Sequence, residues 1–144
     1  MTEVAFYFNA VDKWDFSCRL LRKAARTGSR VAVTGEPAVL QQLDCDLWTF
    51  SPVDFVPHCV VPCDADVAAA SPVVFCLTLE MSPHQQVLLN MGVGVPTGFE
   101  RFERLIEVVG IDDADRSNAR RRWKHYRDRG YAIVRHEIGP KESY

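Results

Sequence analysis

No apolar run in this 144-residue chain is built to cross a membrane. The uncharged stretch Val67–Leu79 is interrupted by Pro72, and Met81–Phe99 is broken by Gln, Asn, Gly and Pro. The N-terminus, MTEVAFYFNA, carries an acid at position 3 and lacks the basic region of a signal peptide. A cytoplasmic protein is expected. Low-complexity segments, internal repeats and linkers are also missing, so one domain spanning 1–144 is expected, a length that buries a core unaided by staples.

Cysteine is present as an odd count of five, at 18, 45, 59, 63 and 76. Several lie in apolar stretches, where a free thiol behaves as a small hydrophobe, and all five are read as reduced. His58, Cys59 and Cys63 in HCVVPC have no second close-spaced pair to complete a structural zinc site, so no metal is expected. Adjacency to His58 does not by itself make Cys59 a nucleophile. Glycines 92, 94 and 98 in GVGVPTG miss the dinucleotide spacing and lack the Lys-Ser/Thr of a phosphate loop. The acids Asp44, Asp46, Asp54, Asp64 and Asp66 are scattered through a Pro-rich region and form no paired constellation. No cofactor and no catalytic residue is expected.

What is present reads as alternating strands and helices. EVAFYF alternates and is rich in strand formers. From Lys13 to Arg26 the apolar residues Trp14, Cys18, Leu21 and Ala25 recur at helical spacing, and Gly28 stops the helix before the strand RVAVT. Pro37 starts a short helix reaching about Cys45. Asp46–Ala70, with prolines at 52, 57 and 62, is expected to be loop and short extended pieces. PVVFCLTL and HQQVLLNM read as buried strands. In FERFERLIEVV, Phe99, Phe102, Leu105, Ile106 and Val109 fall on one helical face, which predicts an amphipathic helix. A second helix follows GIDDAD, whose aspartates suit its start, and YAIVRHEI is a last strand. The expected fold is α/β, a Rossmann-like three-layer sandwich around a mainly parallel or mixed sheet.

Seven of the seventeen Lys and Arg residues fall between 116 and 129, in a chain of formal charge -2. At about 100° per residue, Arg116, Arg120, Trp123, Lys124 and Arg127 form one stripe, while Ala119 and Tyr126 turn inward. Three uses are open: a solvated helix face, a phosphate-binding surface, or a site for an acidic peptide. The isoelectric point near 6.1 weighs against nucleic acid. Arg forks bind carboxylates bidentately, and an adjoining aromatic adds selectivity for a peptide with an apolar end, with Val109 as a further apolar neighbour. A second cluster, LWTFSPVDFVPH, places Trp48 and Phe55 in a Pro-rich stretch, either as a lid on the core or as interface anchors.

The segments VAFYF, LWTFSPVDFVPH, LLNMGVGVPTGFERFERLIEVV and ARRRWKHYRDRGYAI, in this order across nearly the whole chain, resemble the chi subunit family of the bacterial DNA polymerase III holoenzyme. The resemblance implies a non-catalytic accessory of the clamp-loader complex with two partners and only indirect contact with DNA. One is the acidic, phenylalanine-ending C-terminal tail of single-stranded DNA-binding protein, which maps to Val109, Arg116, Arg120, Trp123, Lys124 and Arg127. The other is the psi subunit, in a heterodimer, which maps to Trp48, Phe55, Val56 and Pro57. Arg116 and Trp123 stand where the family also uses Lys or Tyr, which keeps charge and aromaticity but alters reach. The segment Cys59–Ala70 is less like the family. Two other readings are a small nucleotide- or phosphate-binding enzyme using strand-end loops, and a direct single-stranded DNA binder.

Overall fold

The computed structural model describes residues 1–49, 58–61, 66–67 and 71–138. Seven strands form one sheet: β1 (Glu3–Ala10), β2 (Val31–Thr34), β3 (His58–Val61), β4 (Val73–Cys76), β5 (Val87–Asn90), β6 (Arg104–Gly110) and β7 (Ile133–Glu137). Their order is β3-β4-β2-β5-β6-β1-β7, and every pairing is parallel. The α/β layering expected from the sequence is therefore present, with a sheet that is parallel rather than mixed.

A parallel strand covered on both faces sends alternate side chains into two different cores. In β1, Ala5 and Tyr7 enter one core while Val4 and Phe6 enter the other. Likewise Ile106 and Val108 of β6 face one side, Leu105 and Val109 the opposite side. The first core is roofed by helices α1 (Lys13–Arg26) and α2 (Pro37–Thr49) through Phe16, Leu20, Leu21, Leu40, Leu43 and Leu47. The second is covered by α3 (Asp113–Asp128) through Ala119 and Tyr126.

The two-sided burial of β6 corrects one expectation. FERFERLIEVV is not a helix: Phe99–Arg101 makes a single 3-10 turn and Arg104–Gly110 is a strand. A strand buried on both faces is a nearly continuous apolar run, and such a run satisfies a helical template as easily as a strand one. Phe99 and Phe102 strengthened that false match; both are buried in the α3-side core from the turn. The second helix also runs further than expected, to Thr49, because Leu47 continues the buried row of Leu40 and Leu43.

Candidate functional site

The basic helix is built from its N-terminus. Asp112 has extended backbone angles and its carboxylate accepts the Asp115 N–H at 3.1 Å, satisfying one of the orphan donors of the first turn. Asp113 and Asp115 in that turn favour the positive end of the helix dipole. Asp115 also fastens the helix to the sheet, accepting the Gly110 N–H at 2.7 Å and pairing with Lys13 Nζ of α1 at 3.1 Å. At the other end Gly130 takes a left-handed φ of 81°, and the chain turns into β7.

With the helix so placed, its outward face and the ends of β1 and β7 enclose a groove of about 580 Å³. Arg116, Arg120, Trp123, Lys124 and Arg127, the five stripe residues expected from helical spacing, all line it. Trp123 forms the hinge between groove and core. It is half-buried, with its ring 5.0 Å from Phe6 and 5.8 Å from Phe8, centre to centre. Phe8, Asn9, Arg135 and Glu137 supply the opposite side. Asn9 has a positive φ of 68°, uncommon for a residue with a side chain, at the irregular end of β1. Its Oδ1 accepts from Arg116 Nη2 at 3.3 Å, so the distorted strand end steadies one of the groove's cations.

Beneath the groove, the inward face of α3 holds a polar network. Arg122, 2% exposed, places Nε 3.0 Å from Oε1 of the fully buried Glu107 on β6. Oε2 of Glu107 accepts the Tyr126 hydroxyl at 2.6 Å and the Asn90 amide at 3.1 Å. Arg122 Nη1 donates to the Val93 carbonyl, and Asn90 bonds the backbone of Gly92 and Gly94. Burial pushes the Glu107 carboxyl above its ordinary range, opposed by Arg122 and then by the two donors on Oε2. The same burial, with Glu107 beside it, raises the Tyr126 phenol. The arrangement clamps α3, β5, β6 and the glycine-rich loop together.

A profile of the family described as "DNA polymerase III chi subunit, HolC" matches residues 1–134. The chain belongs to this family. The DNA polymerase III subunit chi of Pseudomonas aeruginosa is 31% identical over 143 residues, covering 96% of this chain and 98% of the relative. The subunit of the same name from Haemophilus influenzae is 26% identical over 126 residues, 87% of each chain.

Within this chi-family fold the other expected residues are placed as follows. Val109 does not line the groove. It is 1% exposed in the α3-side core, because its position on β6, rather than on a helix, points it under α3 among the residues that carry Trp123. Trp48 lies in the last turn of α2, and Phe55, Val56 and Pro57 lie outside the described residues. GVGVPTG forms one side of a second cavity, about 540 Å³, at the C-terminal ends of β2, β4 and β5. Its lining has two acids, Glu36 and Glu80, and neither Lys nor Arg, a poor reception for phosphate. Among the described residues no helix is long and apolar enough to cross a membrane.

Sequence reasoning missed the four residues of the opposite side, Phe8, Asn9, Arg135 and Glu137, and it gave Arg122 no role. The signal for Arg122 was available: with Ala119 and Tyr126 it occupies one face at spacings of three and four. Glu107, a lone charge inside an apolar strand, was the matching half.

Proposed function

We propose that this chi-family chain is a non-catalytic, cytoplasmic accessory of the replicative polymerase assembly, folded as one domain over 1–144, that recruits the acidic C-terminal tail of single-stranded DNA-binding protein. The observation that carries the reading is one groove in which Arg116, Arg120, Lys124 and Arg127 stand around an aromatic floor of Trp123 and Phe8. Carboxylates of the tail pair with the guanidinium and ammonium groups, and its terminal aromatic side chain packs against the floor. Val109 acts from below, holding the surface on which Trp123 rests, rather than by touching the tail.

Recruitment by charge is open to competition from salt, and it turns selective only through the aromatic contact and the free terminal carboxylate. Bare single-stranded DNA is a weaker fit: the chain is net acidic, and the basic residues form a short groove rather than a track along the surface. Trp48, Phe55, Val56 and Pro57 are the residues assigned to psi binding, by their match to the family pattern.

The test is a pair of substitutions read by two binding assays. Arg120→Glu abolishes tail binding and leaves psi bound, whereas Trp48→Ala releases psi and leaves the tail bound. Simultaneous loss of both partners from either variant contradicts two separate surfaces, as does tail affinity unchanged by Arg120→Glu.

A further inference from the structure

The groove has a second wall that the family resemblance does not assign. Arg135 and Glu137 stand two residues apart on β7, on the strand face turned toward α3, and their side chains pair at 2.7 Å (Nη2 to Oε1). The Arg135 guanidinium lies 4.7 Å from the centre of the Phe8 ring. Among the residues lining the groove, Glu137 is the one carboxylate facing five cations.

We propose that Arg135 is a carboxylate-binding residue of this site and that Glu137 is its resident competitor. The proposal rests on the groove being the receptor for an acidic peptide. Three observations support it. Stacking on Phe8 holds the guanidinium over the aromatic floor, so the fork stays positioned when Glu137 departs. Both side chains are 58% exposed, so their mutual attraction is weak and exchangeable, worth roughly 0 to 1 kcal/mol for such pairs. An incoming carboxylate meets Glu137 as a like charge and satisfies Arg135 equally well in its place. Binding is therefore an exchange: the peptide's carboxylate takes Arg135, and Glu137 swings to water. The site consequently rejects neutral peptides on the β7 side, since these leave the internal pair intact and gain nothing from Arg135.

The consequence is a substitution that strengthens binding. Glu137→Gln removes the competitor and the repulsion, and tightens an acidic peptide with a free carboxylate about two- to fivefold at low salt. Arg135→Ala weakens it about three- to tenfold. The experiment is calorimetric titration of the full chain and both variants with a synthetic acidic peptide ending in phenylalanine, at low and high salt, with Arg120→Glu as reference and thermal melting as the folding check. Opposite signs for Glu137→Gln and Arg135→Ala, both shrinking as salt rises, support the exchange. If both bind like the parent, or Glu137→Gln weakens binding, while Arg120→Glu still loses the peptide, the β7 wall is overturned and the groove reading stands. If Arg120→Glu binds like the parent, the groove reading falls and takes this inference with it.

Discussion

Arg122 and Glu107 face each other across the interface of α3 and β6 at 3.0 Å, with side-chain exposures of 2% and 0%. A pair so deeply buried contributes little net stability against a well-packed apolar alternative, yet breaking one half of it is expensive. Arg122→Ala is expected to cost about 3–5 kcal/mol in urea unfolding, because the buried Glu107 carboxyl loses its ion-pair partner and must either stay charged or take up a proton. Glu107→Gln combined with Arg122→Met removes both charges, leaves an acceptor for Tyr126, and recovers much of that loss. A double variant as unstable as Arg122→Ala contradicts this account.

Asp115 joins three elements, bonding the Gly110 N–H on β6 and Lys13 on α1 from the first turn of α3. Asp115→Ala is expected to destabilise by roughly 1–3 kcal/mol, the usual loss for a charged hydrogen bond with partial exposure. Thermal melting measures it. Lys13→Ala has the smaller effect, since the Gly110 bond survives.

Gly130 closes α3 at φ 81° with open space where a side chain would go. Gly130→Ala therefore incurs backbone strain without a clash, about 1 kcal/mol. Gly130→Asn costs less, because Asn tolerates the left-handed region. Equal melting temperatures for Gly, Asn and Ala at this position contradict the assignment of this turn.

Burial pushes the Cys18 and Cys76 thiols from an ordinary value of 9.0 up to about 12, with nearby Asp46 adding to the effect at Cys18 and Cys59 at Cys76. The folded chain thus keeps protons that the unfolded chain releases above pH 9. Their contribution to stability is complete below that pH and falls as pH rises toward 12. At pH 8, alkylation mapped by mass spectrometry labels the exposed Cys45 first and Cys18 and Cys76 last.

Much of this fold was legible because strand alternation and helical spacing rarely coincide. α1 was bounded residue for residue by its apolar row and Gly28, while α3, expected after GIDDAD and stopped by Gly130, begins earlier, at Asp113, with Asp112 as its cap. β6 was illegible as a strand because both of its faces are buried and its flanking phenylalanines mimic a helical stripe. The α3 side of the groove followed from angular spacing within one helix. Its other side did not, since Asn9 and Arg135 meet Arg116 and Trp123 only through the sheet order that sets β1 between β6 and β7. The partner of Arg122 likewise lies fifteen residues back on another element, although the inward direction of the side chain was readable from its spacing to Ala119 and Tyr126.

The most direct test of recruitment by the α3 groove is a calorimetric comparison of an acidic peptide ending in phenylalanine, its C-terminally amidated form, and a single-stranded oligonucleotide. Four cations beside the Trp123 floor predict saturable binding of the free acid, at least tenfold weaker binding of the amide, and a salt-sensitive affinity for the first. Clear binding of the oligonucleotide with no binding of either peptide would contradict the account, and return the basic helix to a role on nucleic acid.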